Sequence, residues 1–214
     1  MDLQSTVTAF PRATPIDGLD RAWTWRLNPV LNFAGALAVL RLGDSLIDLK
    51  RRQFHGPQVA LPDSFEAEWT GDPQARKADF ASDYPGAPML SRGLVDRVGQ
   101  ERLERAGRLV PVRTPGPESD DYALYVVEPL VDCVDSRRSA QPKKATGEMR
   151  KTVFRPEAVP AELPAFRVPQ FPVAVCWTGW MRDLLGEILG GDLEARLLWS
   201  PEPSAAPHPD PWGL

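Results

Sequence analysis

Histidine is nearly missing from this chain: His55 and His208 are the only two in 214 residues, so the commonest general base and metal ligand is scarce. His55 stands beside Gly56-Pro57 and reads as a turn histidine. His208 lies among prolines, where a rigid catalytic geometry is hard to hold. Cysteine is equally sparse. Cys133 and Cys176 both sit in apolar runs and read as buried reduced thiols, small hydrophobes rather than ligands or a disulfide. No Cys-x-x-Cys, His-x-x-x-His or EF-hand spacing occurs, which leaves no metal-ligand pattern. The Gly-x-Ser-x-Gly elbow, the Walker phosphate loop and Gly-x-Gly-x-x-Gly are absent too. No catalytic residue, metal or cofactor is therefore expected, and the chain reads as a non-enzyme.

Long apolar runs are lacking as well; none approaches the roughly 20 residues that span a bilayer. The opening MDLQSTVTAFPRATP carries no basic region followed by an apolar one, so it does not read as a secretory signal, and cytoplasmic residence is the expectation. Basic charge is not in surplus. A net charge of -4 gives no general attraction for nucleic acid or an anionic membrane, which favours a neutral or basic partner and no membrane insertion.

What the chain has in excess is proline, 23 residues, roughly twice the usual share. That predicts short elements joined by stiff irregular loops. With 43% hydrophobic and 25% charged residues the rest is globular in composition, and the length suits one sizeable core. The expectation is a single domain over 1–199 and a flexible proline-rich tail over 200–214.

Along the chain, Trp23 and Trp25 alternate around Thr24 as in a short strand. Ala36–Lys50 reads either as two strands about a Gly43-Asp44 turn or as one helix interrupted by glycine. Arg51–Pro88 is polar and punctuated by proline, glycine and aspartate, and reads as a long structured loop with isolated aromatic anchors. Ser91 is a plausible N-cap for a helix whose apolar face includes Leu94, Val95, Val98 and Leu103, ending at Gly107. Leu109–Arg113 follows as a strand. Near the C-terminus come a strand at Phe171–Trp177, an amphipathic helix at Trp180–Leu189, a Gly190-Gly191 stop and a strand at Ala195–Trp199.

Between these units lies Tyr122–Ser139, YALYVVEPLVDCVDSRRS. Its first part is a continuous aromatic and β-branched run, the pattern of a strand buried on both faces. Pro129 interrupts it, and Leu130–Val134 is expected to resume it. Asp132 and Asp135 could be imagined as an acid/base pair, but three positions apart they read as a strand edge entering an Asx-type turn. Ser139 then reads as a loop-closing hydroxyl, since no base is placed to activate it. Trp177, Trp180 and Trp199 read as core. Trp69 stands in a polar loop and Trp212 in the tail, where exposure would point to a partner, although Trp69 also reads as an anchor folded back onto the body.

Several segments together resemble a known family. In order they are Ser91-Arg92-Gly93-Leu94-Val95, Val110-Pro111-Val112, Tyr122-Ala123-Leu124, Val131-Asp132-Cys133-Val134-Asp135 to Ser139, and Pro172–Leu189. From about Met89 to Trp199 the chain resembles bacterial immunity proteins of polymorphic-toxin systems, the eleventh numbered immunity family. It departs from that pattern after Gly190-Gly191, where members usually carry a Gly-x-x-Phe strand. The motifs are structural, so the resemblance transfers no catalytic residue. It implies an immunity protein that binds and neutralises a cognate toxin or secreted effector, type VI secretion included, by occlusion.

The fold expectation is α+β: a mixed sheet with a few short amphipathic helices and long proline-rich loops. Binding would use aromatic anchors within a polar rim. The candidate contacts are Asp63, Trp69, Asp72, Asp79, Asp83 and Tyr84 in the first acidic region and Glu118, Asp120 and Asp121 in the second, where carboxylates could recognise a basic partner. The alternatives are an effector chaperone or adaptor, and a small carboxylate-dependent hydrolase.

Overall fold

A computed structural model describes residues 23–29, 37–72, 74–116, 121–144 and 147–212. Among them the chain is α+β, built from a closed barrel and a separate four-stranded sheet. The barrel contains β2 (Ala38–Leu42), β3 (Phe65–Thr70), β4 (Lys77–Ser82), β5 (Met89–Ser91), β6 (Gly107–Arg113) and β7 (Tyr122–Val127), closed in the order β2-β3-β6-β7-β5-β4. The β2–β4 and β3–β6 pairs are parallel and the others antiparallel, so the sheet is mixed. The second sheet is antiparallel, with β10 (Leu193–Trp199), β1 (Thr24–Pro29), β9 (Phe171–Thr178) and β8 (Ala165–Val168) side by side.

The position of β7 explains its unbroken apolar run. Side chains alternate across a strand, so Tyr122, Leu124 and Val126 enter the barrel interior with Leu40, Phe65, Met89 and Val112. Tyr125 and Val127 face the other way and pack, with Phe80 and Leu90, against Leu27, Val175 and Trp177 of the second sheet. Two helices complete this middle layer: α2 (Arg92–Val98) through Leu94 and Val95, and α4 (Gly179–Leu189) through Met181 and Leu185. The far face of the second sheet, with Phe166, Cys176 and Leu198, is covered by Cys133, Val134, Met149, Val153 and Phe154.

Local signals account for many element ends. The Ser91 hydroxyl accepts the Leu94 N–H at 3.0 Å and so caps α2, satisfying one of the orphan donors of a helix start. Gly99, at φ +93°, closes α2, and a short α3 (Gln100–Glu104) follows it. Gly107 therefore opens β6 and does not itself end the helix. It has a different requirement: a Cβ there would lie 2.1 Å from the Val126 carbonyl oxygen.

Several expectations are corrected. Over the described residues 37–50 the Ala36–Lys50 segment follows neither alternative: it holds β2, a turn, and then the start of α1 (Leu46–His55). Arg51–Pro88 holds the rest of α1 together with β3 and β4, so Trp69 lies on a strand. Leu130–Val134 does not resume β7; only isolated bridges remain, Leu130 with Arg167 and Val134 with Phe154. The described part of the proline-rich tail, 200–212, makes contacts with the rest of the fold. His208 donates its N–H to the Leu197 carbonyl at 2.9 Å, and Arg196 Nη1 donates to the Asp210 carbonyl at 3.2 Å. Trp212 is buried, edge-on to Phe171 at 5.1 Å between centroids, with its indole N–H donating to Thr152 Oγ1 at 3.2 Å.

Candidate interaction surface

The residues singled out from sequence fall into separate groups. Trp69, Asp79 and Asp121 gather around one end of the barrel. The Trp69 ring meets Tyr122 edge-on at 5.3 Å, with Lys77 Nζ 5.0 Å from its centre. Asp79 accepts from Ser91 Oγ at 2.5 Å and from Arg97 Nη2 at 2.7 Å. Asp121 is exposed, and its backbone carbonyl accepts the Arg92 N–H at 2.7 Å. Asp72 shapes the β3–β4 turn by accepting the Gln74 N–H at 2.8 Å. Asp63 is exposed ahead of β3. Glu118 and Asp120 lie outside the described residues. Asp83 and Tyr84 form a second group after β4. Asp83 binds Arg41 Nε at 2.8 Å, and the half-buried Tyr84 ring has Lys50 Nζ 5.1 Å from its centre. Burial pushes the Tyr84 phenol pKa above its ordinary value.

The carboxylates at Asp79 and Asp83 are thus held by arginines of the same chain, so little bare negative charge faces outward there. Asp135 accepts the Arg137 and Arg138 N–H groups at 3.0 and 3.2 Å, which is the turn its spacing suggested. Ser139 Oγ accepts the Val153 N–H at 2.9 Å and donates to the Val153 carbonyl at 3.2 Å, closing the loop. Cys133 and Cys176 are free and buried. Burial pushes the Cys133 thiol up to about 12 and raises Cys176 as well.

Helix α1 is organised differently from the other helices among the described residues, because its sides are partly inverted. Leu49 points inward, but so do Arg52 and Gln53, whereas Ile47 is 53% and Phe54 60% exposed. At 100° per residue Ile47, Arg51 and Phe54 share one outward stripe. Isolated exposed leucines are ordinary; a large aromatic kept out of the core while an arginine takes the buried side is not. Leu130 is the remaining large apolar side chain exposed among the described residues.

The buried side of α1 is a hydrogen-bonded charge network. Arg52 donates to Glu128 through Nη2 at 2.6 Å and Nε at 3.2 Å, and through Nη1 to the Val59 carbonyl at 2.7 Å and to the Pro57 carbonyl. Gln53 Nε2 donates to the Gly86 carbonyl at 2.7 Å. Arg167 on β8 donates to the Gln53 and Pro172 carbonyls, each at 2.9 Å, and to the Glu128 carbonyl at 3.1 Å. Burial lowers the pKa of the Arg167 guanidinium; Glu128 opposes the shift and Arg52 adds to it. Gly56, at φ +86°, ends the helix and returns its N–H to the Arg52 carbonyl at 2.8 Å.

The chemistry of this network is positional. A buried ion pair gains little net stability over apolar packing, since both charges must be desolvated, but it tolerates only a narrow range of geometries. Arg52 and Glu128 tie α1 to the end of β7, while Arg167 ties the α1 C-terminal turn to the second sheet. A cation at a helix C-terminus also complements the carbonyl dipoles there. The result is a fixed shelf, anchored to both sheets, that holds Ile47 and Phe54 in water. Beside them on the helix stand Lys50, whose Nζ lies 5.1 Å from the Tyr84 ring centre, and Arg51, 3.6 Å from Asp48.

A second aromatic feature lies at the start of α4. Trp23 and Trp25 stack at 5.9 Å with the Arg182 guanidinium 4.6 Å from the Trp25 ring centre. The depression they line with Gly179 and Asp183 is about 130 Å³, below the roughly 300–1,000 Å³ typical of small-molecule sites.

Sequence reasoning missed the α1 surface entirely. One signal was available: once α1 is accepted as a helix, Arg52 and Gln53 occupy the stripe continued from Leu49, opposite Ile47 and Phe54. No protein-family model matches the chain, and no curated protein matches it significantly.

Proposed function

We propose that this protein binds a partner protein through the outward face of α1 and neutralises it by occlusion, as an immunity protein does a toxin or secreted effector. The observation that carries this reading is the inversion of α1, with Phe54 and Ile47 outside while Arg52 and Gln53 are inside. An exposed aromatic anchor on a pre-positioned element is how a binding hot spot is presented, because the ordering cost is met before the partner arrives. Occlusion requires no turnover and no catalytic group. The immunity resemblance of the segment from Met89 to Trp199 supplies the class of partner, and the α1 shelf lies outside that segment, where a partner-specific surface is free to vary.

The test is co-purification of the tagged full-length chain from its native host at moderate salt, then production of the retained protein with and without the chain. Growth arrest by the retained protein alone, relieved by the chain, supports neutralisation. Delivery or solubility of the retained protein without relief of toxicity points to a chaperone or adaptor instead. Recovery of the chain alone, as a clean monomer, contradicts the binding reading.

A further inference from the structure

We infer that the paired arms 136–144 and 147–151 form a second interaction surface, which binds an acidic segment of another protein. This surface goes beyond the α1 reading and does not depend on it. Six cations, Arg137, Arg138, Lys143, Lys144, Arg150 and Lys151, stand on the arms against one carboxylate, Glu148, in a chain whose net charge is -4. The remainder of the chain is therefore more acidic than the whole. All six cations are exposed. Lys143 Nζ holds Glu148 at 2.7 Å, and the other five make no ion pair with a carboxylate among the described residues.

Neighbouring carboxylates do not cancel this surplus. At the base, Asp132 lies 3.8 Å from Arg155, and Asp135 accepts the Arg137 and Arg138 backbone N–H groups. Over Asp132–Glu157, with exposed Glu157 included, seven cations meet four carboxylates. On β10 and the tail, Glu194 and Asp210 are matched by Arg196 and the buried Arg26. Glu202, the tail's other acidic side chain, reduces the surplus without cancelling it.

The arms are a fixed strip. Asp135 donates its N–H to the Val153 carbonyl at 2.8 Å, Ala140 to Lys151 at 2.8 Å and Lys143 to Glu148 at 2.9 Å. Met149, Thr152 and Val153 are buried, so the cations are positioned before a partner arrives. Paired segments lie about 5 Å apart, within a Debye length of about 8 Å, and charges on both arms act on one ligand. Five extended residues reach about 17 Å, which suits a short acidic stretch whose carboxylates take charge-assisted bonds from arginine. A nucleic acid fits less well: the arms carry no aromatic residue on which bases could stack, and a long polyanion would run onto the acidic remainder. A membrane fits less well too, because the exposed large apolar side chains among the described residues, Ile47, Phe54 and Leu130, all lie off the strip.

Photo-crosslinking in cells of the native host tests the inference, with the full chain carrying Gln141→benzoylphenylalanine, an exposed and uncharged position, or Glu101→benzoylphenylalanine on α3 as the control. Position 141 is expected to capture a protein through a peptide in which aspartate and glutamate outnumber lysine and arginine, and position 101 is not. The double reversal Arg137→Glu with Lys151→Glu is expected to lower the yield about tenfold, since local charge contributes on the order of tenfold or more to encounter. The neutral pair Arg137→Gln with Lys151→Gln should give an intermediate yield, which separates lost charge from a misfolded loop. The equal reversal Arg105→Glu with Arg113→Glu, away from the strip, should leave the yield within about twofold, because exposed charges beyond a Debye length are largely screened.

A captured peptide without an acidic surplus, a yield unmoved by reversal on the strip, or equal losses from both double reversals overturns the assignment. A nuclease-sensitive adduct, a lipid adduct or a second copy of this chain overturns it in favour of those occupants. No protein adduct from position 141, or the same adduct from position 101, removes the surface altogether. The α1 reading is tested at Phe54 and is untouched by each of these results.

Discussion

Replacing Glu128 by alanine should do more damage than its partly exposed position suggests. In the native protein its carboxylate receives both Arg52 bonds, at 2.6 and 3.2 Å, and lies 3.5 Å from Arg108. The Arg52 side chain is 5% exposed and Glu128 23%. Glu128→Ala leaves the Arg52 guanidinium buried with only the Pro57 and Val59 carbonyls and with Arg167 as a like-charged neighbour. Removing one member of a buried pair costs about 3–5 kcal/mol. Partial access of water to the Glu128 site reduces this to about 2–3 kcal/mol. For a chain of this size that corresponds to a fall in Tm of about 4–12 °C. Urea denaturation measures the global loss, and hydrogen exchange of the α1 amides measures whether the shelf loosens. Exchange in 46–55 should accelerate more than in β7. The paired replacement Arg52→Met with Glu128→Leu should recover most of the stability, because apolar isosteres of a buried pair are nearly neutral. A Glu128→Ala loss below about 0.5 kcal/mol, the scale of ordinary surface substitutions, with unchanged exchange in α1, would refute the reasoning that this network fixes the helix.

Other outcomes follow from individual contacts. Trp212→Ala should cost about 3 kcal/mol in urea denaturation, since a buried indole and its hydrogen bond are lost; an unchanged midpoint would mean the tail is not part of the core. Gly86→Ala should cost about 2–3 kcal/mol, because its Cβ would lie 1.8 Å from the Val173 carbonyl oxygen; thermal denaturation reads this directly. Cys133 and Cys176 should both resist a thiol reagent in the native protein at pH 8 and both react in denaturant, because burial holds Cys133 protonated, with its pKa pushed up to about 12, and raises Cys176. Rapid labelling of either thiol in the native state would place it at the surface.

Much of the fold was legible because local chemistry and tertiary position agree. The Ser91 cap, the apolar faces of α2 and α4, and the doubly buried β7 each state their environment in a short stretch of sequence. Closure of the barrel was not legible, since periodicity says which face of a strand is buried but not which strand lies beside it. The β3 segment FEAEWT does alternate, with Phe65 and Ala67 buried and Glu66 and Glu68 exposed. Proline, aspartate and glycine on both sides masked so short a run. The surface on α1 was hidden for a deeper reason. Hydrophobic periodicity assumes that apolar residues face inward, and α1 breaks the rule with Arg52 and Gln53 buried and Phe54 in water. Local rules fail most informatively where a surface serves something beyond the fold. The acidic residues chosen from composition showed the opposite error: Asp79 and Asp83 looked free in the sequence, but non-local arginines meet them in the structure.

The most direct test of the α1 shelf is the affinity of the co-purified partner for the wild-type chain and for Phe54→Asp, measured by calorimetric titration. Phe54 is 60% exposed, so the substitution should leave stability within about 0.5 kcal/mol while weakening binding by about 2 kcal/mol or more, roughly thirtyfold. Unchanged affinity in Phe54→Asp, alongside a clear loss in Trp69→Ala, would contradict the account and place the interface at the other end of the barrel.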